Sequence, residues 1–242
     1  MSSLIVISRG RCSDAESRET EDRLIREMLG EGCQVLVIPH LYDLPSDHPA
    51  VERLGNTKDQ VLLYSWLAPR AAEWALRRLL GGFSLDESPR VRCFNMAEAL
   101  NPERVASVGA QEGQGELEDM TEDVAPRWYP VLDYARCTGC GQCAEFCLFG
   151  VYSQDDNGAI VATSPDLCKT GCPACARVCP VQAIMFPHYE QDALISGRTA
   201  PDATAPASDA IQDALAERQR CGRNDPDDDL KGLVDELSNL DI

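Results

Sequence analysis

Two cysteine-rich stretches, CTGCGQCAEFC (137–147) and CKTGCPACARVCP (168–180), decide how this part of the chain folds. The first reads C-x2-C-x2-C-x3-C and the second reads C-x3-C-x2-C-x3-C-P, and together they hold eight of the 12 cysteines. This spacing is typical of thiolates that enclose an iron–sulfur cubane, in which three ligands come from one curled loop and the fourth from elsewhere. The pattern therefore predicts two clusters, with each stretch supplying ligands to both.

Residues 129–188 resemble a bacterial-type two-cluster ferredoxin, because the cysteine stretches sit in a repeated order of strand, loop, helical turn and strand. Between the halves, 154–158 has the composition of a hairpin turn. In this family the fourth cysteine of each stretch binds the other cluster. The resemblance implies that one cluster takes Cys137, Cys140, Cys143 and Cys179, and that the other takes Cys147, Cys168, Cys172 and Cys175.

The sequence departs from the family's pattern at two places. Leu148 stands where a proline usually follows the fourth cysteine, and three residues rather than two separate Cys168 from Cys172. We expect Cys168 to bind iron, because Gly171 allows the longer loop to bulge without strain. If Cys168 does not bind, the second cluster would be a three-iron (3Fe–4S) form.

Zinc binding and disulfide bonds are two other uses of cysteine that compete with iron–sulfur binding. Zinc also takes tetrahedral sulfur sites, but zinc modules usually need only two cysteine pairs with a longer spacer. A disulfide framework is disfavoured, because the opening MSSLIVISRG lacks the basic start, long apolar stretch and cleavage site of a secretory signal. We therefore expect reduced thiols and a cytoplasmic location, with zinc as the alternative.

The composition narrows the range of partners. The 242 residues carry a formal net charge of −18 at pH 7, which disfavours nucleic-acid binding because that needs clustered lysine and arginine. No apolar stretch approaches the length of a membrane span. The acidity suits a protein that is steered toward a redox partner with a basic docking face.

Residues 1–100 are predicted to form a separate α/β domain with a small, doubly wound parallel sheet. Continuous apolar stretches, which alternate with helical patterns, occur at 4–7, 35–38 and 61–64, and 91–94 is predicted to be a fourth strand. Ligands in such folds bind beyond the carboxyl ends of the strands, where Arg9, Arg11 and Ser13 follow the first strand. These residues are weak candidates for binding the phosphate of a flavin or nucleotide, because they match neither known glycine-rich phosphate loop.

The remaining segments are acidic. Residues 101–127 are predicted to be a linker that leads into an α+β ferredoxin-like domain at 128–190. Residues 191–242 are predicted to be a flexible tail with an amphipathic helix at 229–240, which either packs on its own protein or docks in a partner's groove.

These features favour an electron-transfer protein that relays single electrons to or from a redox partner, docked through the N-terminal domain or the tail. We assign no catalytic residue, since cysteine fills all four ligand positions of each implied cluster. The alternative is a subunit of an oxidoreductase whose N-terminal domain binds a flavin or nucleotide.

Overall fold

A computed structural model of the chain describes residues 3–11, 14–81, 91–99, 115–156 and 158–198. Its largest element is a five-stranded sheet in which all neighbouring strands are parallel. The strands are β1 (Ser3–Ser8), β2 (Gln34–Ile38), β3 (Gln60–Ser65), β4 (Val91–Asn95) and β5 (Glu116–Asp119), in the order β4-β3-β1-β2-β5. The helices of this part are α1 (Ala15–Gly30), α2 (Pro49–Gly55), α3 (Pro69–Leu79) and the short α4 (Met96–Ala99).

Helices cover both faces of the sheet, which is why its central strands are apolar without interruption. Successive side chains of a strand point to opposite faces. Val6 of β1 therefore packs in a buried cluster with α2 and α3, whereas Ile5 packs with Leu24 and Met28 of α1. The predicted parallel sheet is confirmed, and its strand order runs outward in both directions from β1, as in doubly wound folds.

The prediction that 101–127 is a linker is wrong for one segment, which forms a strand. Residues Glu116–Asp119 form the edge strand β5, which pairs in parallel with β2 from Gln34 to Val37. Its side chains are largely exposed and acidic, so the sequence lacks the apolar pattern that marks a strand. Backbone hydrogen bonds to β2, which every residue type except proline can donate, hold this strand in place.

The cysteine-rich part is built from two small antiparallel ladders and two short helices. Strand β6 (Val131–Leu132) pairs with β9 (Ile184–Met185), and β7 (Ser153–Gln154) pairs with β8 (Ile160–Val161). The helices are α5 (Gln142–Phe146) and α6 (Ala174–Val178), one after each cysteine loop. The repeated order of elements that the sequence predicts is therefore present.

The α/β part and the cysteine-rich part share a core. Tyr129, Val131 and Met185 are fully buried in the same cluster as the apolar residues of α2 and α3. The chain after β9 also packs, because Ile195 is buried and its carbonyl accepts a 2.7 Å hydrogen bond from the Phe186 amide. The prediction that a flexible tail begins at 191 is therefore wrong up to 198, and the predicted helix 229–240 lies outside the described residues.

Among the helices that the structure describes, none is both long enough and apolar enough to cross a membrane.

Candidate metal centres

The eight cysteines of the two stretches line two separate cavities. One cavity, of about 170 Å³, is lined by Cys147, Cys168, Cys172 and Cys175 together with apolar side chains such as Val151 and Phe149. The other is lined by Cys137, Cys140, Cys143 and Cys179. Each cavity thus takes three cysteines from one stretch and one from the other. This grouping is the same as the crossed grouping that the family resemblance implies.

Glycines allow the loops to curl around these cavities. Gly139 and Gly141 of the first loop adopt φ values of 68° and 78°, and Gly171 of the second adopts 80°. A side chain disfavours this left-handed region, whereas glycine enters it freely. The Gly171 turn lies in the longer spacing between Cys168 and Cys172, and both cysteines still line the same cavity.

The thiols influence one another across the two stretches. Burial, together with the charge of Cys179, raises the pKa of Cys143 to about 12. Burial, together with the charges of Cys172 and Cys147, likewise raises the pKa of Cys168 to about 12. Buried thiols of this kind lose their protons when a metal binds, because the metal's positive charge replaces the proton.

The residues present fit iron–sulfur clusters. Each cavity offers four sulfur donors, and the surrounding side chains, which include Leu132, Ile160, Ile184 and Phe186, are buried and apolar. Sulfur-only sets of four thiolates are the ligands of 4Fe–4S clusters.

The candidate anion site after β1 is filled by the protein's own charges. Arg9 forms ion pairs with Glu21 at 3.0 Å and with Asp22 at 2.6 Å. The fully buried Glu21 also accepts hydrogen bonds from the Gly10 amide at 2.7 Å and from the Trp66 indole at 2.8 Å. A carboxylate of the chain therefore binds the donors that a phosphate would need. Ser13 lies outside the described residues.

Glu21 is a residue that the sequence reasoning missed. Glu21 is the first buried position of α1 and precedes Leu24, Ile25 and Met28 at helical spacing on the same face. An acidic residue in phase with an apolar stripe is the signal that would have indicated a buried carboxylate.

Arg11 is paired as well, and its partner Asp43 was not predicted. Arg11 Nε donates to Asp43 at 2.7 Å, the Arg127 amide donates to the same carboxylate at 2.8 Å, and His40 Nδ1 lies 3.3 Å away. Burial alone would raise the pKa of Asp43, but the nearby His40 imidazole and the hydrogen bonds from Arg11 and the Arg127 amide hold it well below its usual range. Asp43 thus ties the loop after β2 to the segment that enters the cysteine-rich part.

Comparisons with known proteins agree with this geometry. The family described as "4Fe-4S dicluster domain" matches residues 136–184. The chain is 44% identical to an uncharacterised ferredoxin of Methanocaldococcus jannaschii over 61 residues. These residues are 25% of this chain and 41% of that protein. The chain is 42% identical to the pyruvate synthase subunit PorD of the same organism over 55 residues. These residues are 23% of this chain and 62% of that subunit.

A third relative is a subunit of a different kind of enzyme. Over 61 residues the chain is 34% identical to the DNA-directed RNA polymerase subunit Rpo3 of Methanosarcina acetivorans, which covers 25% of this chain and 23% of that subunit. The chain spans less than two thirds of each of these three relatives. No solved structure matches the chain significantly. Taken with the two cavities and their cysteines, the family match identifies residues 136–184 as a two-cluster ferredoxin domain, which carries two 4Fe–4S clusters.

Proposed function

We propose that this protein is a cytoplasmic electron carrier that exchanges single electrons with a redox partner protein. The observation that carries the proposal is the division of eight cysteines into two sets of four around two cavities. We assign Cys137, Cys140, Cys143 and Cys179 to cluster one, and Cys147, Cys168, Cys172 and Cys175 to cluster two. When bound, each cluster accepts and releases one electron without the formation of a covalent bond to a substrate.

The protein's own residues orient the ligands. The Ala183 amide donates a 3.3 Å hydrogen bond to Cys179 Sγ, and such bonds to sulfur influence reduction potential. The Trp128 indole donates to the Cys172 carbonyl at 3.3 Å and stacks on Phe186. These hydrogen bonds and the ring stacking hold the two cysteine loops in place. We therefore expect the loops to move little when the charge of a cluster changes.

We place the partner's docking surface beside cluster two. Leu148 and Phe149, which follow Cys147, are 92% and 42% exposed and line the cavity of that cluster. Exposed apolar side chains next to a cofactor suit a protein interface. The net charge of −18 favours a partner with a basic surface around an apolar centre. This surface replaces the N-terminal domain and the tail as the preferred docking site.

The partner's chemical class follows from the relatives. PorD is a subunit of pyruvate synthase. By analogy, we propose that the partner is an oxidoreductase or one of its subunits. The alternative, in which the α/β part itself binds a flavin or nucleotide, is disfavoured because Glu21, Asp22 and Asp43 already occupy Arg9 and Arg11. Release of a flavin or nucleotide on denaturation would instead favour this alternative.

Metal analysis and reduction test the electron-carrier proposal. Anaerobically purified protein should contain about eight irons and eight sulfides per chain and should be reduced reversibly by a low-potential viologen. Zinc without sulfide would contradict cluster binding. Two intact clusters that accept no electron over the accessible potential range would favour a structural role.

The docking surface is tested by electron transfer to mitochondrial cytochrome c, a basic haem protein, used as a surrogate partner. We expect a Leu148→Ser/Phe149→Ser variant to reduce cytochrome c about tenfold more slowly, while its reaction with a viologen is unchanged. Leu117→Ser is the matched control, because Leu117 is 47% exposed on the edge strand β5 and does not line the cavity of cluster two. An equal loss in the control, or no loss in the double variant, would contradict the assignment.

Replacement of Cys147 by serine tests the crossed assignment. The change should remove or alter the cluster built mainly from the second stretch, which electron paramagnetic resonance of the reduced protein would detect. Damage confined to the other cluster would show that the cysteines are grouped differently.

A further inference from the structure

Arg70, near the start of α3, contacts both cysteine-bearing segments of the ferredoxin domain. Its Nε donates to Asp133 Oδ2 at 2.7 Å, and its Nη2 donates to the carbonyl of Gln182 at 2.8 Å. Asp133 precedes the first cysteine stretch and Gln182 follows the second. We call Arg70, Asp133 and Gln182 the clamp.

The clamp acts on the first ligand of cluster one through Asp133. The carbonyl of Asp133 accepts a 3.0 Å hydrogen bond from the Cys137 amide, and its side chain accepts a 3.1 Å bond from the Ala135 amide. The orientation of Asp133 therefore sets where the loop that carries Cys137 begins.

The clamp acts on the last ligand of cluster one through Gln182. The Gln182 amide donates to the Cys179 carbonyl at 3.2 Å, and the next residue, Ala183, donates to Cys179 Sγ at 3.3 Å. Gln182 has a φ of 50°, a left-handed conformation that costs energy in a residue other than glycine. The Arg70 hydrogen bond to its carbonyl helps to hold this turn.

The charge of Arg70 is buried with this assembly. The Arg70 side chain is only 16% exposed, and Nη1 is buried without an acceptor among the described residues. Among the described residues, Asp133 provides the carboxylate that forms an ion pair with Arg70. Positive charge held next to an anionic cluster favours the reduced, more negative state.

From these contacts we propose that Arg70 is a positioning residue for cluster one, by which the α/β part of the chain controls the stability and reduction potential of that cluster. The inference rests on the proposed ligand assignment, in which Cys137 and Cys179 bind the same cluster. Residues of a second coordination sphere often change metal affinity about 10- to 100-fold when they are replaced.

The test compares Arg70→Gln, Arg70→Lys and the wild-type protein, all prepared anaerobically with both clusters present. Iron release to a colorimetric chelator should become biphasic in Arg70→Gln, with half of the iron leaving about 10- to 100-fold faster and half at the wild-type rate. A potentiometric titration followed by electron paramagnetic resonance should show a lower midpoint potential for one cluster only.

Arg70→Lys separates charge from geometry. Lysine keeps the positive charge but lacks the planar fork that reaches two acceptors at once. We therefore expect the midpoint potential of Arg70→Lys to lie close to the wild-type value. Half of its iron should still leave faster than in the wild-type protein. Asp133→Asn, which keeps an acceptor for the Ala135 amide, should also accelerate the release of only half of the iron.

Arg53→Gln is the matched control, because Arg53 pairs with Glu118 at 2.9 Å within the α/β part and contacts no cysteine-bearing segment among its described partners. Its two clusters should release iron as in the wild-type protein. Equal acceleration of all the iron in Arg70→Gln, or unchanged release and potentials, would overturn the proposal. Neither result would affect the electron-carrier function, which the viologen experiment tests separately.

Discussion

Replacement of Asp43 by asparagine should destabilise the whole described fold. Asp43 is 2% exposed and binds the Arg11 side chain and the Arg127 amide. Because Arg11 also donates to the Arg127 carbonyl at 3.0 Å, the three residues connect the end of the sheet to the start of the ferredoxin domain. Asparagine retains an acceptor for the Arg127 amide but removes the charge that opposes Arg11.

The size of the effect follows from burial. Removal of one partner of a buried ion pair costs about 3–5 kcal/mol. The Arg11 side chain is 22% exposed, so water partly solvates the remaining cation and the lower value, about 3 kcal/mol, is expected. For a chain of this size, 1 kcal/mol corresponds to about 2–4 °C, so Tm should fall by about 6–12 °C.

Anaerobic thermal unfolding, followed by circular dichroism, measures this loss. The control is Glu118→Gln, since the half-exposed Arg53–Glu118 pair should contribute less than about 1 kcal/mol. Near neutral pH the Tm loss of Asp43→Asn should not vary with pH, because Asp43 of the wild-type protein is ionised in both the folded and the unfolded state. The stabilisation is present above the unfolded pKa of 3.8 and is lost as pH falls toward the lowered folded pKa. A Tm loss no larger than that of Glu118→Gln would refute the reasoning.

Two other predictions concern a ligand and a titrating histidine. Cys168→Ala should convert one cluster to a three-iron form or remove it, whereas unchanged iron content and unchanged spectra would remove Cys168 from the ligands. Burial, with Arg11 and His40 nearby, lowers the pKa of His188 to about 4 from 6.5, so the folded protein favours the neutral ring. Stability should therefore fall as pH drops from 6.5 toward 4, and His188→Gln should flatten this dependence in unfolding experiments at pH 7.5 and 5.5. Equal slopes in the two proteins would contradict that prediction.

The sequence by itself determined the ferredoxin domain. Three of the four proposed ligands of each cluster lie within a few residues of one another, so spacing such as that of Cys137, Cys140 and Cys143 records their geometry directly. The apolar stretches at 4–7, 35–38 and 61–64 likewise determined a parallel sheet, because strands buried on both faces must be apolar throughout.

Only the tertiary structure decided how these parts are joined. Asp43 and Arg70 read as ordinary charged residues, and the roles of these two and of Glu21 depend on partners that lie from 11 to 112 positions away in the chain. Strand β5 is polar and is held by backbone bonds to β2, which leave no mark on side-chain pattern. Local spacing reports interactions between near neighbours, whereas a buried charge or an edge strand is specified by whichever distant segment packs against it.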